Sequence, residues 1–345
     1  MHVSPALPVA YCLLAAMLFG ASTPVSKALL GSFGPFTLAG LLYLGAALAV
    51  IPFSFRGGSA ELRRDGRQRR LLGSAVLFGG VAGPVFLLFG LRASPAASVS
   101  LWLNVEVVAT ALLAWSFFHE HLDRRTVIAA GSVLLGGLLL AAPAGVAGLR
   151  AGAWVALACM CWGLDNNLTA LVSGFTPPQT TAVKGLVAGT VNLALGVLFE
   201  GSPPAGIALL LALLVGGLAY GFSIALYISG AQLLGASRSQ LLFSTSPFWG
   251  VVLAWTLFRE PVLPAQIAAA PLMTAGLYFM LTARHEHEHT HVAMFHAHSH
   301  RHDDGHHNHV HPGLPAWVRH THAHYHEPTT HTHPHVPDLH HRHEH

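Results

Sequence analysis

Only 10% of the 345 residues are charged, 52% are hydrophobic, and the mean hydropathy is +0.51. Soluble domains carry about 25% charged residues, so this composition excludes an ordinary soluble protein and predicts an integral membrane protein. The net charge of +3 comes from arginines that flank apolar segments. No basic face suggests nucleic acid, and the expected partner is the lipid bilayer.

Ten apolar segments are long enough to cross a bilayer, for which a helix needs about 20 residues. Because the backbone must satisfy its own hydrogen bonds in lipid, each is expected to be a helix. The first segment lacks the basic residues that precede the apolar core of a signal peptide, so we interpret it as a spanning helix. The predicted spans are roughly 8–30, 35–54, 71–91, 95–117, 126–143, 151–172, 179–199, 206–229, 237–257 and 264–282.

Arginine is distributed unequally over the predicted loops. The segment 56–70 carries six arginines and 123–125 carries two, and Arg238 and Arg284 fall on the same side. The opposite side receives three arginines in its loops. Since basic residues accumulate on the cytoplasmic side, both termini are expected to be cytoplasmic. The preference for arginine over lysine is typical of a GC-rich bacterial genome, so the expected location is the bacterial cytoplasmic (inner) membrane.

The two halves of the chain resemble each other. LLAWSFFHEHL (112–122) parallels VLAWTLFREPV (252–262) at an offset of 140 residues, and AAMLFGASTPVS (15–26) parallels ACMCWGLDNNLT (158–169). Each half holds five spans, and an odd number makes the halves run in opposite directions across the membrane. Inverted repeats of this kind are typical of secondary transporters, which bind their substrate near the midplane between the repeats.

These segments resemble the EamA-like branch of the drug/metabolite transporter superfamily. The resemblance is carried by LFGASTPVSK (18–27), LNVEVVATALLAWSFFHEHL (103–122), LACMCWGLDN (157–166) and STSPFWGVVLAWTLFREPV (244–262). It implies an all-α integral membrane protein of ten transmembrane helices, arranged as two inverted five-helix repeats. The expected units are a first repeat at 5–145, a second at 150–284 and a tail at 285–345.

The resemblance constrains mechanism more than substrate, because the family carries very different solutes. The sequence also departs from the family at one informative point. The Glu-Pro pair that is frequent in helices four and nine is divided here, as Glu106-Val107 in one helix and Ser246-Pro247 in the other.

Polar side chains inside the spans are the candidates for a substrate or coupling site, because a charge at the centre of a span costs about 2.5–3.5 kcal/mol. The repeat sets Ser22-Thr23-Pro24 opposite Asp165-Asn166-Asn167, and proline removes a backbone donor. Broken or polar stretches at equivalent points of inverted repeats indicate a binding site. A hydrogen-bonded carboxyl that only joins helices is the alternative for Glu106. The predicted site residues are Glu106, Asp165, Asn166, Asn167, Asn104, Pro24 and Ser244.

The other polar features of the spans receive structural interpretations. Lys27 and Lys184 lie towards the ends of their spans, and we expect their ammonium groups to reach the lipid headgroups. The motif HEH (119–121) lacks the second histidine of His-Glu-x-x-His and is interpreted as a charged helix end. Since no nucleophile–base pair, phosphate-binding loop or cofactor motif is apparent, we do not expect an enzyme or a required cofactor.

The tail, residues 285–345, contains 23 of the 26 histidines. Its low apolar content predicts disorder without a ligand. Alternate residues of an extended segment share a side, and neutral imidazole suits Zn, Ni, Co and Cu. We therefore expect low-affinity Zn, Ni or Co sites whose first ligands are His285, His287, His289, His291, His296, His298, His300 and His302.

Three functions are compatible with these features. The first is a drug/metabolite-type secondary transporter, working by alternating access, that moves divalent transition metals or is regulated by them through the tail. The second is a carrier of a small organic metabolite or drug whose tail stores metal. The third, from another class, is a non-transporting membrane sensor or buffer of metal. A homodimer is a further option for the assembly.

Overall fold

The computed structural model describes residues 6–54, 66–118, 124–172, 176–234, 236–282, 285–291, 294–300, 320–326 and 329–335. The chain divides into two units, residues 1–283 and 284–345.

Within its described residues, the first unit consists of ten helical segments, whose ends lie within six residues of the predicted spans. Seven stretches have the length and hydropathy of a membrane span, and the longest, Arg124–Thr169, combines two of the ten helices. The all-α, multi-pass prediction is therefore confirmed. The helices are α1 (Ala6–Leu29), α2 (Pro35–Ser54), α3 (Gly66–Ala93), α4 (Ala96–Trp102 and Val105–Phe118), α5 (Arg124–Ala141), α6 (Gly145–Ala170), α7 (Pro177–Glu200), α8 (Ile207–Val215, Gly216–Phe222 and Ser223–Leu234), α9 (Ala236–Phe243 and Ser246–Thr256) and α10 (Pro264–Thr282).

The contacts between the two halves have inverted counterparts. Helix α1 packs on α8 and α9 of the second half, and α6, its repeat equivalent, packs on α3 and α4 of the first half. Helix α2 packs along its own equivalent α7, and α5 packs along α10. The arrangement is that of two repeats related by a pseudo-two-fold axis in the membrane plane.

Two π-helical segments follow the same symmetry. They are Val76–Ala82 in α3 and Gly216–Phe222 in α8, and they lie one repeat offset of 140 residues apart. A π-helical turn displaces backbone carbonyls from the regular ladder, and such bulges are frequent at functional sites.

Glycines mark the closest crossings between the halves. A Cβ atom on Gly20 of α1 would overlap the carbonyl oxygen of Ser246, and one on Gly163 of α6 would lie 2.9 Å from the backbone nitrogen of Thr110. Gly20 and Gly163 are opposite each other in the repeat. Small residues are needed at both positions because the helix backbones meet directly.

Helix α1 continues without interruption through Pro24. The proline leaves the carbonyl of Gly20 without its usual intrahelical donor, and Gly250 of α9 approaches this carbonyl so closely that a Cβ there would lie 2.9 Å from it. The prediction of a broken stretch at Pro24 is therefore wrong for the backbone, because close packing on α9 accommodates the proline inside a continuous helix.

The second unit is described in four strands. They are β1 (His285–His291), β2 (Met294–His300), β3 (His320–His326) and β4 (Thr329–His335). Strand β1 pairs antiparallel with β4, and β2 with β3, and each register sets histidine opposite histidine at three positions. The sequence predicts disorder here, whereas the structure pairs these segments, because His-x-His alternation has the period of a strand.

The crossing at Gly20 gives a test of the packing. Replacing Gly20 by alanine forces the α1 and α9 backbones apart, and overpacking of this kind costs about 1–3 kcal/mol. We expect Gly20→Ala to lower the midpoint of thermal unfolding of the detergent-purified protein. The matched control is Gly131→Ala in α5, where nothing lies within 4 Å of the added atom. Equal midpoints for the two variants would contradict the close crossing.

Candidate substrate site at two helix breaks

Helices α4 and α9 are each interrupted near the middle, at Leu103-Asn104 and at Ser244-Thr245. The side-chain amide of Asn104 donates to the carbonyl of Leu101 at 2.8 Å, and the hydroxyl of Thr245 donates to the carbonyl of Leu242 at 2.7 Å. Each break thus has a polar side chain that binds a carbonyl of the preceding turn. The repeat equivalent of Asn104 is Ser244, whose hydroxyl donates to the carbonyl of Leu241 at 2.8 Å, so the two repeats have matching side-chain hydrogen bonds at their breaks.

A cavity of about 90 Å³ lies beside the two breaks, among α1, α4 and α9. This volume has room for several water molecules. Its polar lining consists of Thr23, Asn104, Glu106, Gln240, Ser244 and Ser246. Its apolar lining consists of Phe19, Gly20, Leu103, Val107, Phe243 and Pro247. Both members of the divided Glu-Pro pair, Glu106 and Pro247, therefore reach the same cavity.

Glu106 lies in the first turn of the helix piece that begins after the α4 break. Its carboxylate accepts a hydrogen bond from the side-chain amide of Asn166 at 3.0 Å. Asn167 joins the same helices, because its amide donates to the carbonyl of Thr110 in α4 at 3.2 Å as well as to that of Gly163 in its own helix at 2.8 Å. The one salt bridge found among the described residues does not involve Glu106. Glu106 is thus a cavity-lining carboxylate supported by an amide.

Asp165 is paired with a lysine. The ammonium of Lys184 on α7 lies 2.5 Å from the Asp165 carboxylate, and 2.9 Å from the hydroxyl of Thr169. Thr169 donates in turn to the same carboxylate at 2.9 Å. The expectation that Lys184 reaches the headgroups is wrong, because the nearby buried carboxylate binds its ammonium group instead. Asp165 is neutralised in place and is not among the cavity-lining residues.

The π-helical segment of α3 borders this ion pair. The Asp165 carboxylate lies against Gly79, where a Cβ would overlap it. The carbonyl of Gly79 accepts hydrogen bonds from the hydroxyl of Tyr43 at 2.6 Å and from the indole of Trp162 at 3.0 Å. Asn192 of α7 donates to the carbonyl of Gly80 at 3.1 Å. The carbonyls of the bulge therefore connect α2, α6 and α7.

Lys27 also has protein partners. Its ammonium donates to the carbonyls of Leu91 at 2.6 Å, Arg92 at 3.3 Å and Ser94 at 3.0 Å, at the end of α3. The expectation of a headgroup contact is wrong here too, because the end of α3 presents carbonyls without intrahelical donors.

The predicted site residues are thus divided by the structure. Three of them, Asn104, Glu106 and Ser244, line the cavity. Asn166 donates to Glu106, and Asn167 donates to the carbonyl of Thr110 one turn further along α4. Asp165 belongs to the ion pair, and Pro24 lies inside α1 beside the cavity-lining Thr23. Sequence reasoning missed Gln240, Phe19 and Phe243 in the cavity wall, although Gln240 is a polar residue inside a predicted span.

The predicted metal ligands of the tail fall outside the described side chains, and His302 lies outside the described residues altogether. In the part of the chain that the structure does describe, no group of three His, Cys, Asp or Glu residues is placed to hold a metal ion.

The comparisons with known proteins identify the family. The model of the EamA-like transporter family matches residues 6–142 and 149–282, which are the two repeats. The chain belongs to the EamA-like transporter family. It is therefore a multi-pass membrane transporter of the drug/metabolite type.

Two individual similarities agree with this assignment. An uncharacterized transporter of Methanothermobacter thermautotrophicus (strain Delta H) is 26% identical over 289 residues, which cover 77% of this chain and 83% of that protein. A solved crystal structure superposes with a TM-score of 0.56 at 19% identity, covering 78% of this chain and 95% of that one. The second similarity supports the fold alone.

The Asp165–Lys184 pair gives a prediction for stability. Removing one partner of a buried pair leaves an uncompensated charge and costs about 3–5 kcal/mol, so Asp165→Asn and Lys184→Met should each lower the thermal midpoint strongly. The double variant should recover most of the loss, because it leaves no unpaired charge in the membrane. Thermal unfolding of the four proteins in detergent measures this double-mutant cycle. Strictly additive losses would show that the two groups are not coupled.

Proposed function

We propose that this protein is a secondary transporter that works by alternating access and carries a small organic solute bearing an ammonium group. The solute binds in the cavity at the two helix breaks. The observation that carries this proposal is the difference between the two intramembrane carboxylates. Asp165 is neutralised by Lys184, whereas Glu106 lines the cavity with an amide as its partner.

The chemistry of the cavity suits such a solute. Glu106 supplies one negative charge, and the hydroxyl and amide groups at the breaks supply hydrogen bonds. Phe19 and Phe243 form an aromatic wall, with ring centroids 5.4 Å apart. Aromatic faces attract cations and also bury apolar surface. An ammonium group attached to a compact apolar body matches both parts of the lining.

Glu106 also supplies the coupling. A carboxylate in a water-poor site holds either a proton or a bound cation, because either one compensates its charge. Binding of the solute therefore displaces the proton, and release of the solute lets the proton return. Because the solute and the proton are exchanged across the membrane, a proton gradient can drive transport of the solute.

A divalent metal as cargo has less support from the cavity. Such an ion takes several oxygen or nitrogen ligands, and the sequence supplies two carboxylates for it, Glu106 and Asp165. Because Lys184 is paired with Asp165, only the carboxylate of Glu106 is left for a metal ion. The 23 histidines of the tail favour a separate role for metals. We propose that the tail binds Zn, Ni or Co on the cytoplasmic side of the bacterial inner membrane, where the arginine distribution places both termini.

Glu106 is the residue on which solute transport depends. We expect proteoliposomes with an acidic lumen to accumulate labelled benzyltrimethylammonium, a permanent cation that does not cross the bilayer as a neutral base. Glu106→Gln should reduce the initial rate at least about tenfold, equivalent to about 1.4 kcal/mol. Glu200→Gln, at a helix end remote from the cavity lining, is the matched control. Accumulation that is unchanged in Glu106→Gln would contradict the proposed role.

Metal binding by the tail is tested separately. Calorimetric titration of the full-length protein with Ni²⁺ should show several sites, and deletion of residues 285–345 should remove them. The deletion should leave benzyltrimethylammonium transport unchanged. If both proteins bind Ni²⁺ equally, the sites lie outside the tail. If the deletion abolishes transport, the tail is part of the carrier.

A further inference from the structure

The helix pair α2–α7 is held together at both ends. At the end of α7, the Glu200 carboxylate accepts the backbone N–H groups of Phe36 at 3.0 Å and Thr37 at 2.9 Å, in the first turn of α2. At the opposite ends, the amide of Gln179 in α7 donates to the carbonyl of Ser54 in α2 at 3.0 Å. A pair that is tied at both ends is suited to remain fixed while other helices move.

The α4–α9 pair is held in the same manner at the face where α1 ends. The Glu260 carboxylate, just after α9, accepts the backbone N–H groups of Ala96 at 2.8 Å and Ala97 at 3.0 Å. These are first-turn amides of α4, and helix N-termini favour negative charge. Lys27 binds the carbonyls at the end of α3 in the same turn. The Glu260 carboxylate, from the segment after α9, and the Lys27 ammonium, from α1, thus both bind backbone groups of the α3–α4 turn.

The described pieces of the broken helices also pack most closely at this face. The later piece of α9, Ser246–Thr256, packs on the earlier piece of α4, Ala96–Trp102. The complementary pieces, Ala236–Phe243 and Val105–Phe118, do not form an extended packed pair within the described residues. Gln240 and Phe243 of the unpacked piece line the cavity. The packed pieces of α4 and α9 therefore lie on the side of the breaks where α1 ends, and the pieces that do not pack together lie on the other side.

We propose that Glu260 and Lys27 form a charged latch that closes the cavity at the face where α1 ends, and that alternating access requires its release. This inference rests on the proposed function.

The test measures access to the sealed interface and needs no solute. Ser100 is fully buried between the packed pieces of α4 and α9, against Gly250. The full-length protein with Ser100→Cys, and with its three native cysteines replaced by alanine, is placed in nanodiscs and reacted with a membrane-impermeant thiol reagent. Glu260→Gln and Lys27→Gln should each accelerate labelling at least about fivefold, within the range of measured conformational couplings.

Glu200→Gln is the matched control, because Glu200 makes the same pair of hydrogen bonds to a helix start on the same face. It should not accelerate labelling, even if it lowers the thermal midpoint. Equal labelling in Glu260→Gln and the parent would overturn the latch, as would equal acceleration by Glu200→Gln. If Glu260→Gln does not fold, Lys27→Gln and the shorter Glu260→Asp decide the question. Since no solute is used, failure here is distinct from failure of benzyltrimethylammonium transport.

Discussion

A helix that breaks inside a lipid bilayer has to find hydrogen-bond partners for its free backbone groups within the protein, because the hydrocarbon offers none. The functional part of this transporter is organised around that requirement. At the breaks of α4 and α9, the side chains of Asn104 and Thr245 donate to carbonyls of the preceding turns and add to the backbone hydrogen bonds that these carbonyls accept. At the π-helical segment of α3, the side chains of Tyr43 and Trp162 donate to the carbonyl of Gly79, and that of Asn192 donates to the carbonyl of Gly80. The polar groups that stabilise irregular backbone also make the interior able to bind a polar solute.

The intramembrane charges are used for different tasks. Asp165 and Lys184 compensate each other between α6 and α7, so the protein carries them without leaving an isolated charge in the membrane. Glu106, by contrast, lines the cavity and is stabilised by Asn166. Lys27, Glu200 and Glu260 bind backbone groups at helix ends. A carboxylate that is left for a solute or a proton is therefore a specific feature of one site and not a general property of the interior.

Much of the fold could be predicted from the sequence, because apolar length sets the spans and the 140-residue repeat sets their inverted arrangement. The cavity residues Asn104, Glu106 and Ser244 were also accessible to sequence reasoning, since polar residues inside spans are costly. The partner of Asp165 was not, because Lys184 lies on another helix and its position near a span end suggests a headgroup contact. The break was expected at Pro24, but proline marks only a missing donor. Whether a helix bends at a proline depends on its packing. Here Gly250 of α9 packs against the carbonyl of Gly20, and α1 stays continuous.

The central claim is that Glu106 exchanges a proton for a cationic solute. The most direct measurement is proton release when benzyltrimethylammonium binds to the detergent-purified protein in weakly buffered solution. By linkage between proton and ligand binding, release should approach one proton per bound cation at a pH where Glu106 is protonated. Glu106→Gln should release none. Binding without proton release in the native protein, or equal release from Glu106→Gln, would contradict the account.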